Sequence, residues 1–225
     1  MSGASPISSE RRERLLNTAA ALFARWGFDK TSVDDIARET GISKGAVYLE
    51  FPSKDALFMA LLHREFGRHA AEWLRRFEQD HGDWSFARMI QHSLAAMNTN
   101  PFVKAIMTRD KRLLGSFLRR DTELLKDTIS ARTELFARLQ EVGAIRDDIP
   151  AQTLAFLMTS ISFGLISSDD FIPDEHKVPF DDGVRALGLL LDRGLAAETP
   201  GDPEAAREII IQITEKMRTA LASPP

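Results

Sequence analysis

The run Ser43-Lys44-Gly45-Ala46-Val47-Tyr48-Leu49-Glu50 holds the residues of this chain best equipped for chemistry, and that chemistry is the gripping of a phosphate. A serine, a lysine and a glycine at the opening of a helix place free backbone N–H groups and a positive charge where an anion can sit. Gly45 costs about 1 kcal/mol of helix propensity relative to alanine, which implies close approach by another surface. Tyr48, the only tyrosine in the chain, puts a hydroxyl on the same outer face, and Lys54 adds a second cation beyond Pro52 and Ser53. Enzyme-like groupings are weaker. His69 and Glu72 lie three apart, with Glu65 a turn earlier, a spacing that could hold a metal. Arg64 and Arg68 beside them make a solvated charged face the better reading. Asp169, Asp170, Asp174, Glu175 and His176 cluster in a stretch that reads as a solvated loop. No phosphate-cradling glycine loop, Gly-x-Ser-x-Gly elbow or His-Glu-x-x-His pair occurs. The expectation is a protein without enzymatic activity, metal or cofactor.

Two short helices and a turn must hold Lys44 and Tyr48 outward. In residues 32–40, Val33, Ile36, Ala37 and Thr40 fall at i, i+3, i+4 and i+7, one face of a helix. Gly41 suits the left-handed residue that stops a helix, and Ser43 has the side-chain oxygen wanted at the next N-cap. The second helix buries Val47 and Phe51, one turn apart. Pro52 ends it, because the residue before a proline is pushed out of helical geometry. Two helices joined by such a glycine-containing turn form a helix-turn-helix, whose second helix enters the major groove of DNA.

The segment from Ser32 to Phe58 closely resembles the DNA-binding domain of the TetR/AcrR family of bacterial transcriptional regulators. Its Gly-x-Ser-Lys-Gly-x-x-Tyr-x-x-Phe-x-Ser-Lys string joins turn, recognition helix and following helix in fixed register. Upstream, Ala19 to Phe28 looks like that family's first helix and its closing glycine-aromatic step. The match spans about fifty residues, and the remaining two-thirds is similar only in helical layout. The resemblance implies that Ser43, Lys44, Gly45 and Tyr48 touch DNA, and that Thr31 or Ser32, together with Lys54, holds backbone phosphates. Ala46, Leu49 and Glu50 occupy positions that vary in the family. Ala46 and Leu49 can meet thymine methyl groups. Glu50 can accept from cytosine or pair with a nearby cation, and the cation is favoured.

Charge alone does not point to nucleic acid. The 225 residues carry a net charge of −4, and residues 1–58 hold eight Lys and Arg against eight Asp and Glu. Attraction to DNA must come from arrangement. Arg11, Arg12 and Arg14 stand at the entrance to the first helix, where an arm could reach the DNA backbone or minor groove, though a solvated turn is favoured. The length allows one large or two modest domains. No apolar run approaches the roughly 20 residues that span a bilayer. Residues 1–10 lack the apolar core of a signal peptide, and there is no cysteine for a disulfide or thiolate site. A cytoplasmic protein is expected.

From residue 53 onward the pattern is helical. A long helix is predicted over 53–79, carrying Leu57, Leu61, Leu62, Phe66, Trp73 and Phe77, with a break at Asp80-His81-Gly82-Asp83. Further helices are predicted over 84–98, 101–120, 121–142, 150–167 and 181–197. A linker at 200–203 leads to a final helix over 203–221, which either thickens a dimer seam or covers the second domain. The whole is all-α: a flexible arm (1–10), a three-helix DNA-binding domain (11–58), and a helical effector-binding and dimerisation domain (59–225). Helix 150–167 is apolar around most of its circumference and must be covered on several sides. With 181–197 it forms the expected homodimer surface through Leu157, Ile161, Leu165, Leu187 and Leu191, as the resemblance also implies; the alternative is a pair of monomer core helices. Phe86, Met89, Ile90, Met97, Phe117, Phe136 and Phe163 are the expected lining of an effector cavity, suited to a small hydrophobic molecule. Few buried charges are evident there, which disfavours a highly charged ligand. The combined expectation is a homodimeric repressor released from an inverted-repeat operator when its effector swings helix 53–79. An activator or co-regulator with the same DNA contacts is the alternative, followed by a helical protein-interaction scaffold.

Overall fold

Residues 6–79, 85–119, 123–198 and 201–222 are described by the computed structural model, and among them every regular element is helical. The break at Asp80 to Asp83, the first five residues and Pro200 lie outside the described residues. The helix α1 runs Pro6–Trp26, starting ahead of the expected boundary at residue 11. It is followed by α2 (Val33–Thr40), α3 (Lys44–Glu50) and α4 (Lys54–Gln79). Leu15, Phe23, Ile36, Val47, Phe51, Leu57, Phe58 and Leu61 from all four helices meet in one buried core. The apolar periodicity of each helix supplies one face to that core.

The 26 residues of α4 span about 39 Å at 1.5 Å per residue. The helix therefore outreaches the N-terminal unit. Its first turns bury Leu57, Phe58, Leu61 and Leu62 beneath α1–α3, while Phe66, Ala70, Trp73 and Phe77 are buried further along. There it packs on α5 (Phe86–Asn98) and α12 (Pro203–Ala222). The final helix also packs on α8 (Glu123–Glu141), burying Ala206, Ile209, Ile210 and Ile213, so it covers the second domain.

The helix expected over 101–120 is divided into α6 (Pro101–Thr108), α7 (Lys111–Leu114) and a 3-10 turn (Gly115–Arg119). Asn100 opens α6 by accepting from the amides of Phe102 and Val103, with Pro101 in the first-turn position that needs no donor. Arg109 then adopts φ 53°, and the Asp110 carboxylate accepts from the Arg112 amide at 2.8 Å to begin α7. This double bend carries α7 against the loop between α1 and α2. The Phe28 amide donates to the Leu113 carbonyl at 2.8 Å, and the Ser116 amide donates to Asp29 Oδ2 at 3.0 Å. Phe117 packs 5.5 Å from Phe28 and 4.7 Å from Phe58, centroid to centroid. Phe117 is thus part of the joint between the two halves and does not line a cavity, as had been expected.

The helices α9 (Ala151–Ile166) and α11 (Phe180–Leu195) lie side by side, α9 backed by α8 and α11 by α5. Their outer faces are bare: Phe163 is 43% exposed, Leu189 61% and Leu190 70%, with Phe156 and Leu157 exposed beside them. Of the expected seam residues, Leu157 belongs to this face, while Ile161, Leu165 and Leu187 are half-buried at its edge. Leu191 is a correction. It is buried in the chain's own core, because the side of α11 that carries it faces α5.

Candidate nucleic-acid interface

Local chemistry fixes the bend before any tertiary contact is needed. Ser32 and Asp35 form a reciprocal capping box at the start of α2. At its end Gly41 adopts φ 74°, its amide donates to the Arg38 carbonyl, and the Ile42 amide donates to the Ala37 carbonyl. That pair of bonds is a Schellman motif, which turns the chain and tucks Ile42 against the core. Ser43 then starts α3 by accepting from the Ala46 amide at 3.1 Å. Val47 and Phe51 anchor the inner side of α3, and the Arg12 guanidinium covers the Phe51 ring at 4.4 Å.

With its inner side anchored, α3 presents Ser43, Lys44, Gly45, Tyr48 and Leu49 to the outside. Tyr48 is 44% exposed and Leu49 86%. Lys44 Nζ pairs with Asp34 Oδ2 at 2.9 Å, and that bond raises the lysine's pKa and keeps it cationic. Both partners are solvated, so the lysine can exchange Asp34 for a phosphate. A Cβ added at Gly45 would meet nothing closer than Ser43 Oγ at 3.9 Å. No packing within the chain calls for glycine there. Glu50 is half-buried and pairs with Arg11, whose Nε donates to it at 3.1 Å, so the cation alternative for Glu50 holds.

Two expected phosphate contacts are corrected. Thr31 is 1% exposed and its hydroxyl donates to the Gly27 carbonyl at 2.9 Å. Lys54 Nζ donates to the carbonyls of Phe28 at 2.9 Å and Thr31 at 3.1 Å and sits over the Phe28 ring at 4.2 Å. Together they tie the α1–α2 loop to the start of α4. Ser32 remains exposed at the head of α2.

Replacing Lys44 with alanine is expected to weaken binding to all sequences alike and to reduce the salt slope by about one unit. Tyr48→Phe is expected to cost about 1 kcal/mol through loss of one phosphate hydrogen bond. Fluorescence anisotropy on operator DNA across a salt series checks both. Unchanged affinity in both variants would remove α3 from the interface.

A second candidate site lies within the C-terminal half. A narrow cavity of about 50 Å³ is bordered by α4, α5, α6, α8 and α12. Met89, Ile90, Met97 and Phe136 line it as expected. Phe86 sits behind Phe136, with ring centroids 5.7 Å apart, and Phe163 faces outward with the bare side of α9. Sequence reasoning missed His69, Trp73 and Arg132, polar side chains that line the same space. Burial pushes the His69 pKa down to about 4, and Arg132 falls to about 10 for the same reason. Glu72 turns away to Arg75 and Arg76 at 2.7 and 2.6 Å, so it does not share a face with His69. The guanidinium of Arg75 holds its carboxyl down at about 2. Among the described residues no helix is long and apolar enough to cross a membrane.

Comparison with known proteins agrees with this arrangement. Residues 15–61 match the family model described as bacterial regulatory proteins, tetR family. An HTH-type transcriptional repressor of Mycobacterium tuberculosis is 27% identical over 159 residues, covering 70% of this chain and 81% of that protein. The uncharacterized HTH-type transcriptional regulator YuxN of Bacillus subtilis is 48% identical over 54 residues, 24% of this chain and 19% of its own length. Among solved structures, the transcriptional regulator FadR from Bacillus subtilis in complex with stearoyl-CoA superimposes with a TM-score of 0.60 at 15% identity. That alignment covers 81% of this chain and 98% of that one, and the likeness is one of fold. A helix-turn-helix with a bare outer face, a matching family model over the same residues, and relatives named as regulators lead to one conclusion: this chain is a DNA-binding transcriptional regulator whose residues 15–61 form a helix-turn-helix of the tetR kind.

Proposed function

We propose that the protein is a homodimeric repressor that leaves an inverted-repeat operator when a small molecule fills the cavity of its C-terminal half. The observation that carries this reading is the course of α4. One unbroken helix has Leu57, Phe58 and Leu61 in the core shared with α1–α3 and Phe66, Ala70 and Trp73 at the cavity wall. A ligand that separates α4 from α5 must tilt the helix, and with it α1 and the core that anchors α3. The joint of Phe28, Asp29, Leu113, Ser116 and Phe117 supplies a second link to the N-terminal unit. Release requires the ligand to bind the DNA-free arrangement more tightly than the DNA-bound one.

A second copy covers the bare face of α9 and α11 in this reading. Two-fold symmetry then sets two α3 helices about one turn of DNA apart, which calls for inverted half-sites. The relative in Mycobacterium tuberculosis is named a repressor, in keeping with the direction of control. The test is to select bound fragments from genomic DNA, footprint the strongest, and titrate candidate small molecules against the complex. The expected result is a two-fold-symmetric footprint occupied by two chains that disappears on ligand addition. An asymmetric footprint bound by one chain would overturn the dimeric reading, and promoter activity rising on binding would overturn repression.

A further inference from the structure

Two buried polar atoms border the cavity without a hydrogen-bond partner, and a half-buried arginine stands beside them. Trp73 Nε1 and His69 Nδ1 have no hydrogen-bond partner, and both side chains lie on the cavity side of α4, one turn apart. The other ring nitrogen of His69 bonds to the Ala96 carbonyl of α5, so it carries the proton. In the neutral imidazole Nδ1 is then a bare lone pair. From α8, Arg132 donates through Nη1 to Thr159 Oγ1 at 2.8 Å, and among the described residues no carboxylate pairs with it. It lies close enough to His69 to disfavour a charge there. Around these groups, apart from Ser93, the wall is apolar and compliant: Met89, Met97, Met107, Met217, Leu135 and Phe136 border it.

Each group asks for a specific complement. A guanidinium drawn partly out of water and, among the described residues, without a carboxylate partner calls for an anion. An indole N–H calls for an acceptor, and a bare imidazole nitrogen for a donor. Water answers these demands only in part, since it brings no charge. The space is too small for a bulky molecule as it stands, but four unbranched methionines can shift rotamers to admit an apolar body.

We propose that the cavity takes a small apolar carboxylic acid, its carboxylate held between the Arg132 guanidinium and Trp73 Nε1–H, its hydrocarbon part among the methionines, and a hydroxyl or water donating to His69 Nδ1. This assignment rests on the effector-release reading above and names the ligand class for it. It narrows the expectation of a small hydrophobic effector to one that carries a single carboxylate.

Isothermal titration of the 225-residue protein with octanoate, octanol and octylamine, without DNA, tests the assignment. Octanoate is expected to bind at least tenfold more tightly than octanol, with octylamine weakest. Arg132→Met should abolish the preference for the acid while leaving octanol binding unchanged, and Arg132→Lys should retain part of it. The Met variant should fold, because an apolar side chain of similar length keeps the contacts of the half-buried arginine's stem and removes the cost of desolvating its charge; a melting temperature close to the parent's verifies this. Octanoate binding no better than octanol, or unaltered in Arg132→Met, would overturn the proposal. Arg132-dependent octanoate binding that leaves operator affinity unchanged would uphold the site and defeat effector release.

Discussion

Changing Leu189 and Leu190 together to glutamate is expected to dissociate the proposed dimer and to lower operator affinity by at least a hundredfold. The two leucines are 61% and 70% exposed in the isolated chain, so the substitution leaves the chain's own core untouched. Surface changes of that kind usually shift stability by no more than about 0.5 kcal/mol. Against a second copy the situation is different. Four carboxylates would enter an apolar seam bordered by Phe156, Leu157 and Phe163, each losing several kcal/mol of hydration with no cation to answer it. Monomers would then meet half-sites singly and forfeit the gain from two linked contacts, which reaches about 10² to 10⁴. Sedimentation velocity and footprinting read the two effects separately. A double variant that still sediments as a dimer would place the subunit contact elsewhere, and a monomeric parent would remove it altogether.

What the sequence made legible was whatever local chemistry fixes. Gly41, Ser43 and Pro52 each act on backbone within four residues, so turn, cap and stop could be placed before any packing was known. The same holds for the outward set on α3, because Val47 and Phe51 leave only one face free. Thr31 and Lys54 were misplaced for the opposite reason. A hydroxyl and an ammonium read as solvent-seeking, and only the fold of the α1–α2 loop, which turns the Gly27 carbonyl onto Thr31 and brings the Phe28 carbonyl to Lys54, shows them closing a joint. In α11 three leucines stand in a row, Leu189 to Leu191, and composition cannot say which one meets α5. Helix α9 is apolar nearly all round, which left Phe163 free to be assigned inward when it lies outward. Arg132 was invisible as a cavity residue, since a lone arginine on a helix rich in charges usually belongs to the solvent face. The division of 101–120 turned on Arg109, a non-glycine residue in the left-handed region, for which the sequence holds no reliable sign.

The joint between the two halves makes a second large effect predictable through a pair of glycines that share a backbone conformation and differ in surroundings. Gly27 and Gly41 both lie in the left-handed region, at φ 80° and 74°. An alanine at either pays about 1–2 kcal/mol for that conformation. At Gly41 nothing stands within 4 Å of the new methyl, so strain is the whole cost. At Gly27 the methyl would sit 2.2 Å from the Arg112 carbonyl oxygen, an overlap with main chain that no rotamer can relieve. Either the α1–α2 loop or α7 must withdraw, and the bond from the Phe28 amide to the Leu113 carbonyl goes with it. Gly27→Ala should therefore cost about 2 kcal/mol more than Gly41→Ala, the amount of a buried hydrogen bond left unmade plus lost packing. It should also separate the unfolding of the N-terminal unit from that of the rest, because the Phe28–Phe58–Phe117 cluster can no longer close. Urea titrations followed by far-ultraviolet circular dichroism read both quantities, the midpoint and the number of transitions. Equal losses in the two variants would mean that the contact with α7 contributes nothing to holding the halves together, and that α4 alone would have to carry any signal from cavity to recognition helix.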